Sequence, residues 1–239
     1  MKTTMIRTTP AALLVTLAAL TLAPLARADE AASDVHLNNV RLGMYFVRYS
    51  ASASDLSGPF TPPGINLKVN SVNTPFFAYI RTLSPKWDLE FAGGVPPKTH
   101  TIGVGPASLG SVPFNGQEVA TAKWFSPSIL LEYKFLEQGS ALRPYVGAGF
   151  NYTHFYDRNS TAAGDAANGG PTKTNLSDSL GLAATAGLAY NFTKSINATV
   201  SYSMAQVNSD YVSDTAGILR KTTVHFNPRT LVVAVGYSF

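Results

Sequence analysis

Large apolar residues alternate with small or polar residues along much of this chain. In the stretch LVVAVGYSF, every second residue from Leu231 to Phe239 is large and apolar, and the residues between them are mostly small. Successive side chains of a β-strand point to opposite faces, so this alternation predicts a strand with one apolar face. The same pattern recurs seven times, and the eight stretches are residues 40–47, 72–80, 87–95, 128–135, 143–156, 179–192, 196–204 and 231–239.

The segments that connect these eight stretches alternate between short and long. Links of a few residues follow the second, fourth and sixth stretches, whereas long links rich in Gly, Pro, Ser and Asn follow the first, third, fifth and seventh. Short turns at one end and long loops at the other are typical of an up-and-down barrel in the bacterial outer membrane, with the short turns in the periplasm. This arrangement predicts that both chain termini lie on the periplasmic side.

The alternation by itself leaves open which face of the barrel points outward. A secreted lipocalin-type barrel also has eight strands, but its exterior has to be polar enough for water. Here the face opposite the apolar one consists mainly of Gly, Ala, Ser, Thr and Asn, and charged residues make up only 13% of the chain. No stretch beyond residue 28 approaches the roughly 20 apolar residues of a membrane-spanning helix. We therefore predict an all-β fold, an eight-stranded antiparallel up-and-down transmembrane β-barrel whose apolar face contacts lipid.

The first 28 residues have the composition of a secretory signal peptide. Basic residues precede an apolar run, and small residues end it at Ala28, so we expect cleavage there and a single barrel domain over residues 29–239. Removal of Lys2, Arg7 and Arg27 reduces 18 basic residues to 15, against 14 acidic ones. The mature chain is then close to neutral, and its charge gives no support for nucleic acid as a partner. The chain has no cysteine, and we predict neither a metal nor a cofactor.

The strand register places six charged residues, three of each sign, on the inner face near the periplasmic strand ends. In a lumen this narrow an unpaired charge is costly, so we expect these residues to pair into a network that plugs the periplasmic end. Above them the inward positions become small or apolar, and we expect several of these to contact a solute. The plug residues are Arg41, Arg81, Asp88, Glu90, Glu132 and Lys134, and the solute-contact residues are Val47, Phe77, Ala92, Leu130 and Ser201.

A pocket that is open above and plugged below suits a hydrophobic solute that enters from outside and leaves sideways into the membrane. Pro96 and Pro97 remove two backbone donors from the third strand at a height that suits such a lateral opening. The simpler alternative is that the proline pair only ends the strand and begins the loop.

The stretch RPYVGAGFNYTHFYD, residues 143–157, resembles the fifth strand of the outer membrane protein W family, where R-P-Y-V-G-A-G-x-N-Y-T-x-F-F-D is typical. The resemblance implies an eight-stranded outer-membrane barrel that passes small hydrophobic molecules, in a family that includes alkane-uptake proteins. It also implies a lateral gap beside the third-strand proline, which matches Pro96. Further similar segments span essentially the whole mature chain: LEFAGGVPPKTH, FSPSILLEYKF, LSDSLGLAATAGLAY and the terminal GYSF.

Two regions depart from the family pattern. Ala92 and Ser201 stand where the apolar constriction of the family usually has Leu and Trp, which predicts a wider pocket. The last strand opens with Asn227, Pro228 and Arg229, where the family has Asp, Pro and Trp. The solute preference is therefore expected to differ from that of better-known members.

The C-terminal Phe239, with Tyr237 and the alternating residues before it, resembles the signal that the barrel-assembly machinery reads in outer-membrane proteins. The expected partners are this machinery, outer-membrane lipid and lipopolysaccharide, and small hydrophobic solutes. A structural or receptor-type barrel that contacts phage, toxin or host is the alternative function. An outer-leaflet enzyme using His154, Asp157 and a loop serine has no supporting motif, and His100, His154 and His225 are expected at the rim.

Overall fold

The computed structural model describes residues 36–239 apart from residues 107, 110 and 111. The expected leader, residues 1–28, lies outside the described residues. Most of the described chain is β-strand. In chain order the strands are β1 (Asn38–Tyr49), β2 (Ser52–Ala53), β3 (Asn66–Val69), β4 (Val72–Ser84), β5 (Trp87–Gly94), β6 (Lys98–Val104), β7 (Ser108–Leu109), β8 (Val112–Pro113), β9 (Glu118–Phe125), β10 (Ser128–Lys134), β11 (Leu142–Ser160), β12 (Thr172–Leu176), β13 (Ser179–Asn191), β14 (Ile196–Ala205), β15 (Asn208–Thr215), β16 (Ile218–His225) and β17 (Pro228–Ser238), and the helix α1 (Ala162–Asn168) stands between β11 and β12.

Eight of these strands close into an antiparallel barrel, which confirms the predicted fold class. They follow one another around the wall in the order β1, β4, β5, β10, β11, β13, β14 and β17, and β17 pairs back onto β1. The first and last described strands therefore share a seam, along which the Asn38 N–H donates to the Phe239 carbonyl at 3.1 Å. We call the barrel end that holds Asn38 and Phe239 the terminal end, and the opposite one the loop end.

The outer face of the barrel is apolar and exposed, whereas the inner face is lined largely by small, buried side chains. Along β17, Val233 and Val235 point outward, with 60% of Val235 exposed, and Val232 and Ala234 are buried inside. A closed barrel leaves no unpaired sheet edge, and an apolar exterior is stable against hydrocarbon and not against water. The apolar face of the alternation is thus the outward face, as predicted.

Aromatic side chains cluster on the outer face near the terminal end. Neighbouring rings contact edge to face, with centroids 5.1 Å apart for Trp87 and Tyr133 and 5.0 Å apart for Tyr190 and Phe192. Aromatic rings with one polar edge suit the boundary between hydrocarbon and headgroups, so this girdle marks one border of the membrane band.

The long connections at the loop end contain further strands and one helix, although their composition predicted irregular loops. β3, β6 and β9 continue one side of the wall, and β12, β15, β16 and β2 form a second, four-stranded sheet. We call these elements, together with α1 and the upper half of β11, the extension. Their strands escape a hydrophobic-pattern search because several of their buried positions are polar: Ser209, Ser213, Thr215 and Thr222. The apolar core of the extension consists of Leu56, Ile65, Leu67, Val69, Phe114, Val119, Phe155, Ala167, Val207, Tyr211, Val224 and Phe226.

The helix α1 begins and ends with residues that satisfy its free backbone groups. Thr161 is the N-cap, and its Oγ1 accepts a hydrogen bond from the Gly164 N–H at 3.0 Å. Gly169 ends the helix with φ at 86°, a left-handed conformation that costs glycine little. In the described part of the chain, no helix is long and apolar enough to cross a membrane.

Candidate functional site

A cluster of buried charges lies inside the barrel near the terminal end. The Arg41 Nη1 donates to the Glu90 Oε2 at 2.9 Å, with both side chains less than a tenth exposed. The Lys134 ammonium of β10 forms a second ion pair with Asp88 of the adjacent strand β5. Glu132 completes the cluster, completely buried and with neither carboxylate oxygen hydrogen-bonded. The cluster therefore sets three carboxylates against two cations.

Tyr145 forms an aromatic wall beside this charge cluster. The Arg41 guanidinium carbon lies 5.6 Å from the centre of the Tyr145 ring, a distance at which a cation is attracted to the ring face. The ring has room because its neighbour on β13 is Gly187, where an added Cβ would stand 2.5 Å from the Tyr145 Cζ. Together the charges and the ring fill the lower lumen, and the distance between Tyr145 and β13 depends on that glycine.

Arg81 is not part of this cluster, and its predicted place in the network is wrong. Its side chain lies on the opposite face of β4, and its Nη1 donates to the Asn38 Oδ1 at 2.8 Å near the terminal end. Phe77 was expected inside on the same reasoning and is also outside, with 45% of its surface exposed. The adjacent residues Phe76 and Phe77 are equally apolar, so the sequence did not decide which of them points inward. Pairing with β1 decides it, since Phe77 lies opposite the outward Leu42.

Above the charge cluster the lumen contains a mainly apolar cavity of about 90 Å³. Of the predicted solute-contact residues, Val47, Ala92, Leu130 and Ser201 line it, whereas Phe77 does not. Phe76 takes the place predicted for Phe77. A solute contact of these residues stays a prediction. The floor of the cavity consists of Arg41, Glu90 and Tyr145, its waist of Tyr45, Phe76, Ala92, Leu130, Ser201 and Val232, and its upper part of Tyr49, Trp124, Phe155, Val207 and Phe226.

The aromatic residues of the cavity are the site residues that the sequence pattern missed. Tyr45 and Phe76 contact each other edge to face with ring centres 4.6 Å apart. Phe76 is followed by Phe77, an equally large residue, so alternation gives no direction there, whereas Tyr45 has the same parity as Arg41 and Val47 and could have been found from the predicted register. Trp124 and Phe226 reach the lumen from the extension, which the hydrophobic pattern did not identify.

The wall has a break in its hydrogen-bond ladder beside the proline pair. β5 and β10 are paired up to Ala92 and Ser128. Beyond this point β5 is continued by β6, and β10 is preceded by β9. Pairing resumes only between β6 and β9, at Lys98 and Lys123. Pro96 and Pro97 lie between these points and have no N–H to donate. The Val95 N–H donates to the Pro75 carbonyl on the other side, at 3.0 Å. Between these two points no backbone ladder joins the third barrel strand, β5 with β6, to the fourth, β9 with β10.

A polar cluster on the inner surface holds the opposite edge of this break. The Asn151 side-chain amide donates to the Ser126 Oγ at 2.9 Å, the Ser128 Oγ at 3.0 Å and the Pro127 carbonyl at 3.2 Å. Its carbonyl oxygen accepts from the Thr153 Oγ1 at 2.9 Å. These bonds attach the Ser126–Pro127 segment to β11. This edge of the break is therefore held by β11 and not by the strand across the break.

The three histidines of the predicted rim lie in or beside the extension, and the triad considered from the sequence does not form. The His154 Nδ1 is 2.9 Å from Asp178, whereas Asp157 accepts from the Lys123 ammonium at 2.9 Å. Hydrogen bonds from Tyr152 and His154 lower the pKa of the Asp178 carboxyl, and Lys123 does the same to the pKa of Asp157. His100 is paired with Glu118 and His225 with Asn208. Each of these polar groups has a structural partner.

Comparison with known proteins gives a consistent result. The model of the OmpW family matches residues 38–239. Outer membrane protein W of Vibrio cholerae is 34% identical over 145 residues, which are 60% of this chain and 63% of that protein. Outer membrane protein W of Salmonella typhimurium is 26% identical over 94% of this chain and 98% of its own. The crystal structure of OprG from Pseudomonas aeruginosa shares the fold, with a TM-score of 0.76 and 22% identity, over 84% of this chain and 95% of that one.

Proposed function

This chain belongs to the OmpW family of outer-membrane barrels, and from that premise we propose that it mediates passive uptake of small hydrophobic molecules across the outer membrane. The observation that carries the proposal is an apolar cavity that lies above a floor of buried charges and beside a break in the barrel wall. In this proposal the termini and the charge cluster face the periplasm, and the extension faces the outside.

The chemistry of the lumen favours an apolar solute. Transfer of apolar surface from water into an apolar cavity is favourable, at roughly 25 cal/mol per Å². The cavity offers Val47, Leu130 and Val232 as apolar contacts. Movement further down would bring the solute against Arg41 and Glu90, whose desolvated ion pair an apolar molecule cannot replace. A solute held above this floor leaves most easily through the wall.

The break beside Pro96 and Pro97 is the proposed exit. Separating two paired strands costs the backbone hydrogen bonds between them. At this break those bonds are already missing between the third barrel strand, β5 with β6, and the fourth, β9 with β10. The break opens outward beside Phe91 and Ile129, which are exposed residues of the lipid-facing surface. A hydrophobic molecule that passes it enters hydrocarbon without crossing a polar layer.

Restoring backbone donors at the proline pair tests the exit. We expect the double variant P96V/P97V to extend the pairing of β5 with β10 and to lower uptake of a hydrophobic fluorescent probe severalfold in cells that lack the native protein. The matched control is P62V/P63V, which changes an adjacent proline pair in the extension between β2 and β3. Equal uptake by both variants and the wild type, at equal amounts of folded barrel, would count against lateral exit.

A structural or receptor-type barrel without transport is the second candidate. Its supporting observation is the ordered extension, whose strands present a defined surface instead of mobile loops. A deletion strain separates the candidates, because uptake of the probe falls if the chain transports and is unchanged if it only supports the membrane or binds a partner.

We further infer that Tyr237 and Phe239 are read by the barrel-assembly machinery. Phe239 is half exposed, and its ring stacks on Tyr237 at 6.2 Å, so both are available at the end of the last strand. Deleting Phe239 is expected to reduce the amount of folded barrel in cells severalfold while refolding in detergent stays efficient. Equal loss in both settings would assign Phe239 to barrel stability instead of recognition.

A further inference from the structure

Two arginines face each other on the outside of the barrel wall. Arg48 of β1 and Arg229 of β17 are directly opposite in the register of the seam that joins the first and last described strands. Both side chains are exposed on the outer face. We call them the arginine pair. Like charges placed directly opposite on neighbouring strands repel and destabilise the pairing.

No carboxylate among the described residues compensates this repulsion. The ion pairs of the described chain include neither arginine. Arg48 leans away from its partner, and its Nη1 donates to the Val47 carbonyl at 3.0 Å and the Asn73 Oδ1 at 3.1 Å. The comparable cross-strand pair of Lys98 and Lys123 differs, because Lys123 has Asp157 as a partner at 2.9 Å.

A neutral residue at this place would suit a lipid boundary without any ligand. Two arginines that face each other, without a carboxylate partner among the described residues, instead leave a local positive charge that a bound anion would neutralise.

The height of the arginine pair matches the far border of the membrane band. Arg229 is eight residues before Tyr237 of the aromatic girdle, which is about 27 Å along a strand and about 21 Å along the axis of a barrel whose strands tilt by 35–45°. The apolar band of such barrels is about 25 Å tall. Leu231 and Met204, the outward neighbours of Arg229 below it and across on β14, are still apolar and exposed. The arginine pair thus lies where lipid headgroups begin.

We propose that the arginine pair binds the phosphate group of an outer-leaflet lipid and so joins the first and last strands at the seam. The proposal rests on the orientation given under the proposed function, in which the loop end faces outside. Two guanidinium groups match phosphate oxygens through paired N–H donors, and one phosphate between them turns repulsion into a bridge. The side-chain amide of Asn73, beside Arg48, can donate a further bond.

Binding of a diphosphorylated glycolipid, lipid A, to the full mature barrel in zwitterionic micelles tests this proposal. We expect R48Q/R229Q to lower the affinity for lipid A at least about tenfold, since charge-assisted hydrogen bonds to phosphate are lost. R81Q is the matched control, because Arg81 is an outward arginine at the terminal end of the same wall, and we expect it to bind normally. The same lipid without phosphates is expected to bind wild type and double variant equally.

Thermal unfolding provides a readout whose sign separates this role from a merely structural one. Without lipid A, R48Q/R229Q is expected to unfold at the same or a higher temperature than wild type, because the repulsion is gone. With lipid A the order of the unfolding temperatures is expected to reverse.

Equal lipid A affinity of wild type and double variant would overturn the proposal, as would an equal loss of lipid A affinity in R81Q. Protection by inorganic phosphate equal to that by lipid A would assign the site to a free anion instead. Arg48 and Arg229 do not line the cavity, so the sequence-based expectation that Arg229 alters solute preference has no support in the lumen. Hydrophobic-probe uptake by R48Q/R229Q is therefore expected to be unchanged, and failure of this proposal and failure of the transport proposal are distinguishable.

Discussion

Replacing Ser201 with Trp is expected to lower uptake of a bulky hydrophobic probe at least about tenfold, because a lumen that is wide at Ser201 and Ala92 loses its space for a large solute when an indole enters it. Ser201 lines the waist of a cavity of about 90 Å³, together with Ala92 and Leu130. Its Cβ is close to the position that a Gly187 side chain would occupy beside Tyr145. An indole at this point therefore occupies the waist of the cavity, above its charged floor.

The matched control for S201W is V200W. Val200 is on the same strand, β14, but its side chain points outward, is exposed and does not line the cavity. The measurement is probe uptake by cells that carry equal amounts of folded wild type, S201W or V200W. We expect V200W to behave as wild type, since a large apolar residue that faces lipid takes no space from the lumen. Undiminished uptake by S201W would mean that the solute does not pass this level of the lumen.

The second large effect is expected on stability, from two substitutions of the same kind at the charge cluster. E90Q removes the partner of Arg41, whose ion pair is buried with the two atoms 2.9 Å apart. Breaking one side of a buried ion pair leaves the buried Arg41 guanidinium without its hydrogen-bonded counter-ion and costs about 3 kcal/mol of unfolding free energy. E132Q is expected to have the opposite sign and to raise stability by about 1 kcal/mol, because a completely buried carboxylate without a hydrogen-bond partner becomes neutral.

Urea unfolding of the barrel in lipid vesicles measures both substitutions in one experiment. The two variants differ from wild type by the same atom exchange and lie within one cluster, so steric and lipid effects are matched. A loss by E132Q as large as that by E90Q would show that Glu132 is an equal partner in the network.

A further expected result concerns ion leakage through the barrel. E90Q, in which Arg41 is released from its partner, is expected to increase leakage of small ions, which planar-bilayer conductance detects.

The charge cluster illustrates how far the sequence could lead. Five of the six predicted residues meet in the lower lumen, because the parity error affects only β4 and the register predicted for β1, β5 and β10 agrees with the structure. Arg81 and Phe77 share that error. Two adjacent phenylalanines offer equal apolar surface to either face, so only the neighbouring strand, through the opposition of Leu42 and Phe77, decides the register.

The remaining site residues depend on contacts that no local pattern encodes. The break in the wall is defined by the absence of pairing between two strand pairs that are far apart in sequence, and the proline pair marks only one of its edges. The other edge depends on Asn151 reaching Ser126 and Pro127. The aromatic upper part of the cavity comes from the extension, whose strands bury serine and threonine and so give no hydrophobic period.

By itself the sequence determined that eight strands close into a barrel with its apolar face in lipid. It could do so because a two-residue period is a local property that each strand expresses independently, and because small uncharged residues on the opposite face exclude a soluble barrel. Only the tertiary structure decided which of two adjacent aromatic residues points inward, where the wall is unpaired, and that Arg48 and Arg229 meet across the seam. These features depend on register between segments up to the full length of the chain apart, and register is fixed only when the whole wall closes.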